Sequence, residues 1–312
     1  MLEIAIFIEG QNGLNWPRWQ RLARKVEELG FVGLFRSDHF TNANPPDKDS
    51  LELWVSLTWL ASHTDRIEFG PLVSPVSFRH PTFTARMAAA VDDLSGGRLI
   101  LGLGAGWQER EHNNYGWDLL DINDRFDRFE EGVQVITSLL GSDQPVDFNG
   151  NYYNLHEGIL LPRPQRTSGP PILVGGNGLK RTMPLTARYA QEWNALMTTP
   201  DGFSELNHHL DALLIAEGRK PEEVKRSMMA GCIFANDEQQ LNQRVEDRTS
   251  GDRTVDDLHQ RGFIIGTPNQ MVDQLNHFAE AGLQRVMLQW MDLDDLDGLE
   301  AIAREVMPKI YI

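Results

Sequence analysis

Eight short apolar runs recur along this chain, and the stretches between them carry apolar residues three and four positions apart. The runs fall at about 3–9, 31–36, 67–73, 100–103, 172–174, 192–197, 227–234 and 286–290. They show neither a helical period nor an alternation of polar and apolar residues, which is how strands covered on both faces of a parallel sheet read. The intervening stretches read as amphipathic helices. Trp19, Leu22, Ala23, Val26 and Leu29 share one face before a capping Gly30, and Phe126, Phe129, Val133, Ile136 and Leu140 share another. Thr267, Pro268, Asn269 and Gln270 form a capping box with proline at the first helical position. Such alternation implies parallel pairing through right-handed crossovers. Length alone, at about 150 residues per domain, suggests two domains, but eight strand-and-helix units fit one closed barrel. The expected fold is therefore α/β, a (β/α)8 TIM barrel with 1–312 as one domain. Insertions are expected at about 141–170, where FNGNYYNL reads as a short hairpin, and at about 236–265, which is polar, helical and exposed.

In such a barrel the active site lies on the rim formed by the carboxyl ends of the strands. Those ends carry Glu9, Asp38, His39, Val73, Gly104 to Gly106, Gly175 to Gly178, Asn194 and Gln289. The densest stretch is RLILGLGAGWQEREHNN at 98–114. A dinucleotide fingerprint needs a glycine where Trp107 stands and a helix directly after it, and none is expected before about Asn123. What remains is a strand ending in small residues, Ala105 and Gly106, against which a flat ligand can lie. GGNGLKR at 175–181 follows another strand. Its backbone N–H groups, with Lys180 and Arg181, suit a phosphate, although a plain tight turn explains the same glycines. Neighbours on a strand point to opposite sides, so Asp38 and His39 face one ligand only if the strand has ended before them. Trp107, Trp193 and Trp290 fall at or beside strand ends, a position from which they can wall a planar ring, although core packing explains each of them as readily.

Several chemistries are excluded by what is missing. With 29 basic and 45 acidic residues the net charge is −16, which argues against nucleic acid or an anionic membrane as partner. No lysine falls at a carboxyl strand end for a Schiff base, no H-x-H or H-E-x-x-H suggests a metal, and no G-x-S-x-G elbow occurs. The single Cys232 lies in an apolar run and reads as a buried structural thiol in a reducing cytoplasm. The start lacks a basic region and its apolar run is short for a signal or membrane span. With no nucleophile or metal visible, the chemistry is expected to belong to a bound cofactor acting on a small-molecule substrate.

The segments GLFRSDHF, IEFGPLVSPVSFRHPTFTARMAAAVDDLSGGRLILGLGAGWQEREHNNYG, RFDRFEEGVQVI, PRPQ, PILVGGNGLKRTMPLTARYAQEWN and GTPNQMVDQL, taken in order, resemble the bacterial luciferase-like flavin-dependent oxidoreductases. The branch that uses the deazaflavin coenzyme F420 is the most similar. The resemblance implies a redox ring across the rim, backed by a bulge with a non-proline cis peptide at Leu72–Val73. It implies that Asp38 and His39 stand beside the ring, that Ala105 and Gly106 touch it, and that Gly175, Gly176, Asn177 and Gly178 hold its phosphate. His39 is the expected catalytic residue, with Glu109 joining it as a candidate for proton transfer. Glu9, Trp107, His112, Trp193 and Trp290 are the candidate substrate pocket. The implied activity is hydride transfer between coenzyme F420 and an organic substrate, in a homodimer. The alternatives are an FMN-dependent monooxygenase that uses oxygen, and a flavin-binding protein without turnover. In deazaflavin sugar-phosphate dehydrogenases a glutamate stands where this chain has Trp107, and a tryptophan stands near Asn42 or Ala43, so a sugar phosphate is not implied.

Overall fold

The computed structural model describes residues 2–310. Its principal strands are β1 (Glu3–Ile8), β2 (Gly33–Arg36), β3 (Glu68–Pro71), β4 (Leu101–Gly104), β5 (Ile172–Gly175), β6 (Glu192–Leu196), β7 (Lys225–Phe234) and β8 (Arg285–Gln289). They pair in parallel in the order β3-β2-β1-β8-β7-β6-β5-β4. A parallel bridge between Phe69 and Leu99 draws β3 against the residues leading into β4, and the Ile100 N–H donates to the Phe69 carbonyl at 2.9 Å. This seam brings the two ends of the order together, giving a (β/α)8 barrel.

Alternation along each strand sorts the apolar residues into two layers. Ala5, Phe7, Phe35, Leu72, Ile100, Leu173 and Met287 meet inside the barrel. Ile4, Ile6 and Ile8, on the opposite face of β1, join the larger layer between strands and helices. The helix Trp16–Leu29 shows how the outer layer is built. The Asn15 side chain accepts from the Arg18 N–H, Pro17 sits in the first turn, and Gly30 ends the helix at φ +87°. Trp19, Leu22, Ala23 and Val26 are its buried stripe.

At the amino ends of the strands the barrel is plugged by charge. Arg285, 1% exposed, donates to Glu3 at 2.8 Å, to Glu192 at 2.9 Å and to Glu68. Lys225, placed by sequence outside the strands, opens β7 and bonds Glu3. It stands at the end of the strand away from the rim, so it offers no rim amine.

The 141–170 insertion contains the expected hairpin, Val146–Asn149 against Asn154–Gly158. The later insertion holds two helices, Glu238–Thr249 and Val255–His259, and beyond them it departs from expectation. Ile264–Gly266 forms a short strand beside the end of β7, and Ile233, Leu241, Val245, Leu258 and Ile265 make a small core of their own. Cys232 is buried in β7, and burial pushes its thiol up to about 12, so it stays protonated and inert as expected. Among the described residues no helix is long and apolar enough to cross a membrane.

Candidate active site

β2 ends at Arg36, so Ser37, Asp38 and His39 belong to the rim and are free of strand alternation. Their side chains diverge. Asp38 is buried, and its carboxylate accepts from Ser74 Oγ at 2.7 Å and from the Arg79 guanidinium at 2.5 Å, so it anchors the rim segment. His39 turns toward the segment after β4. Its Nδ1 lies 2.9 Å from Glu111 Oε1, and Glu111 Oε2 accepts from the Phe40 N–H at 2.7 Å.

A carboxylate can only accept, so Nδ1 carries the proton in this pair. Gln108 Nε2 lies 3.2 Å from the same nitrogen and donates to the Thr41 carbonyl at 3.1 Å. Among the described residues His39 Nε2 has no hydrogen-bond partner. Burial pulls the imidazole pKa down, but the bond to Glu111 and the charges of Glu111, Glu9 and Asp38 outweigh it, and the net shift is upward. The Trp107 ring meets His39 edge-on with centroids 5.6 Å apart, and Trp107 is 61% exposed.

The carboxylate beside His39 is therefore Glu111, which the sequence reading did not single out. Residues 109–115 form a helix where none was expected before about Asn123. On that helix Gln108, Glu111 and His112 share the inner side while Glu109 is exposed and makes no contact with His39. The spacing of the GAGW-x-E-x-E-H stretch contains this answer, but only a helix tells its two glutamates apart.

His112 is 1% exposed and part of the wall behind Gly106. Its Nδ1 lies 2.7 Å from the Gln108 carbonyl, which can only accept, so that nitrogen carries the proton. Nε2 then accepts from Ser77 Oγ at 2.8 Å. Burial is the largest influence on its pKa and the net shift is downward, so the ring is neutral near pH 7. Glu9 stands at the rim with both oxygens engaged, accepting from Gln289 Nε2 at 2.7 Å and Gln11 Nε2 at 2.9 Å.

The peptide between Leu72 and Val73 is cis, at the position the resemblance implied. The Val73 side chain spreads over the mouth between two glycines. A Cβ built on Gly104 would lie 2.5 Å from Val73 Cγ2, and one on Gly175 would lie 3.2 Å from Val73 Cγ1. In the following loop Gly176 has φ +122°, and its carbonyl accepts from Trp193 Nε1 at 2.9 Å. Asn177 pairs both atoms of its amide with the backbone of Leu196 at the end of β6, so it fixes the loop's shape. Arg181 bonds Asp127, leaving Lys180 as the exposed cation of this loop.

Of the other two tryptophans expected in the pocket, Trp193 is turned away from it. Trp193 is fully buried, stacked on Phe203 at 5.5 Å, and faces the helical layer because its neighbour Asn194 faces the barrel interior. Trp290 is 4% exposed and donates to the Asp295 carbonyl beneath the last helix. Trp193 does not wall the mouth, whereas Trp290 lines a cavity at the carboxyl ends of β7 and β8.

A flavin-type group needs a flat apolar floor, a polar rim beside the reacting ring and N–H groups for phosphate. Val73 between glycines supplies the floor, and Gly176 and Gly178 supply an open loop ahead of the helix Thr182–Tyr189. Beside His39, Thr41 Oγ1 and Gln108 Oε1 are buried polar atoms with no protein partner. The residues present fit such a group.

The fold and rim thus define a barrel oxidoreductase whose redox chemistry resides in a cofactor. The sequence profile of the luciferase-like monooxygenase family matches residues 2–250, and the chain belongs to that family, whose members are flavin- or F420-dependent oxidoreductases and monooxygenases. It is 32% identical to the F420-dependent glucose-6-phosphate dehydrogenase of Kineococcus radiotolerans, across 92% of this chain and 90% of that protein. It is 26% identical to the 4-hydroxyprotoasukamycin monooxygenase of Streptomyces nodosus subsp. asukaensis, across 95% and 87%. In structure it resembles an F420-dependent secondary alcohol dehydrogenase in complex with an F420-acetone adduct, with a TM-score of 0.85 at 19% identity, covering 100% of this chain and 99% of the other.

Proposed function

We propose that this protein uses coenzyme F420 to move a hydride to or from a small organic substrate, in the cytoplasm and as a homodimer. The observation that carries the reading is the His39–Glu111 pair. An imidazole held through Nδ1, with Nε2 unpartnered at the rim, is placed to hold or move a proton at the reacting oxygen of a substrate. When bound, the cofactor supplies hydride acceptance and return. The chain supplies the Val73 floor, the Gly175 to Gly178 loop for phosphate, and Trp107 and Glu9 at the sides of the substrate's space.

Titration of the protein with F420 and with FMN, followed by absorbance and fluorescence, tests this. Tight binding of F420 and weak binding of FMN is the expected result. Tight FMN binding, with oxygen consumed when the cofactor is reduced, would transfer the chain to the monooxygenase reading. Binding with no turnover for any reductant or oxidant would leave only a carrier.

A further inference from the structure

We propose that the substrate of this site carries an oxoanion head on an apolar body, and that Arg248 of the second insertion grips the head over the carboxyl ends of β7 and β8. The inference deepens the function proposed above and rests on it.

Arg248 lies near the end of the helix Glu238–Thr249 and lines two adjoining cavities. One, of about 410 Å³, is walled by Cys232, Ile233, Phe234, Trp290 and Met291. The other, of about 700 Å³, extends past Asn12 and Lys48 at the end of β1. Among the described residues the guanidinium has neither a hydrogen bond nor an ion pair, although the chain holds 45 acidic residues against 29 basic ones. Its helix neighbour Arg244, by contrast, bonds Asp295 at 2.9 Å and the Phe234 carbonyl at 3.0 Å.

The carboxylates around the two cavities are engaged elsewhere. Asp294 pairs with Arg18 and Arg21, Asp295 with Arg244, Asp247 accepts from Gln243, and Asp292 accepts from the Asp294 N–H. Arg248 is open to water at the cleft yet ringed by protein, and burial pulls its pKa down against the charge of Glu9, while Cys232 beside it is a neutral thiol. A planar guanidinium with free donors, beside an apolar wall, is the arrangement that takes a carboxylate, phosphate or sulfonate in two-point contact. The overall negative charge makes such a local cation necessary for an anion to settle there. Lys48, whose ammonium bonds Asn12 Oδ1 at 2.8 Å, adds a second positive charge to the same space.

The test titrates hexanoate, monohexyl phosphate and 1-hexanol into the full chain by calorimetry, with and without F420. Either anion should bind at least about tenfold more tightly than the alcohol, which is what a charged hydrogen-bonded contact contributes. The ratio of the two anions identifies the head group. Arg248→Ala should erase the preference and Arg248→Lys should keep part of it, while Arg24→Ala, an exposed arginine outside both cavities, should leave it intact. Equal binding of anion and alcohol, or a preference that survives Arg248→Ala, overturns the proposal. The outcome separates from the cofactor reading, because lost preference with F420 still bound sinks only the anion site. Anion preference without F420 binding sinks only the assignment of the cofactor.

Discussion

His39 Nδ1 and Glu111 Oε1 are 2.9 Å apart, and the glutamate that makes this contact has a side chain with 0% exposure. A group whose folded pKa is raised contributes stability that is complete below its ordinary value, here 6.5, and fades as pH rises through the raised value. Glu111→Gln removes the charge that holds the proton. The His39 ring should then titrate at lower pH by NMR, and the pH limb of kcat/KM governed by His39 should shift the same way. The loss in kcat/KM should be roughly a hundredfold, the low end of what a positioned acid or base contributes. Glu109→Gln should cost far less. An unmoved His39 titration in the Glu111 variant would contradict the pairing.

Gly176 has a positive φ that an L side chain rarely adopts, and it lies on the proposed phosphate loop. Gly176→Asp adds both strain and a negative charge where phosphate is expected. Cofactor affinity should fall by at least about tenfold, one charged hydrogen bond's worth, in a fluorescence titration. Unchanged affinity would move the phosphate elsewhere on the rim.

Trp193 and Trp107 should respond in opposite ways. Truncating fully buried Trp193 to alanine should cost about 3–5 kcal/mol in urea unfolding and free the Gly176 carbonyl it holds. Trp107→Ala, at a ring that is mostly in water, should leave unfolding within about 0.5 kcal/mol and instead raise KM. Similar stability losses for both would mean that Trp107 is packed in solution.

Arg285 balances Glu3, Glu68 and Glu192 at the closed end of the barrel. Glu192 is wholly buried there, and desolvation raises its pKa despite the arginine. Arg285→Met should therefore destabilise by about 3–5 kcal/mol, because it leaves the buried Glu192 carboxylate without a counter-charge. A stability within about 1 kcal/mol of the parent would show that the glutamates re-solvate instead.

The eight strands were legible because each is a compact apolar run bounded by glycine or polar residues, and their number with the intervening helices selects the barrel. The rim was legible for the same reason, since strand ends follow from strand positions. What failed was orientation. Glu192, Trp193, Asn194 and Ala195 are all buried, so no alternation in β6 shows which side faces the barrel interior. The helix Glu109–Tyr115 reads EREHNNY and has no apolar period, because it is held by rim contacts through Gln108, Glu111 and His112 and not by a greasy stripe. Without that helix, two glutamates two residues apart are indistinguishable. Arg248 was hidden within a stretch that reads only as polar and exposed.

The pairing of β1 with β8 sets Glu3 opposite Arg285 and Phe7 opposite Gln289. During synthesis one edge of β1 stays open until some 280 further residues have left the ribosome, roughly 15–60 s at ordinary elongation rates. A bare strand edge of that kind invites pairing with other chains, so the nascent protein is most open to mispairing in the interval before β8 arrives.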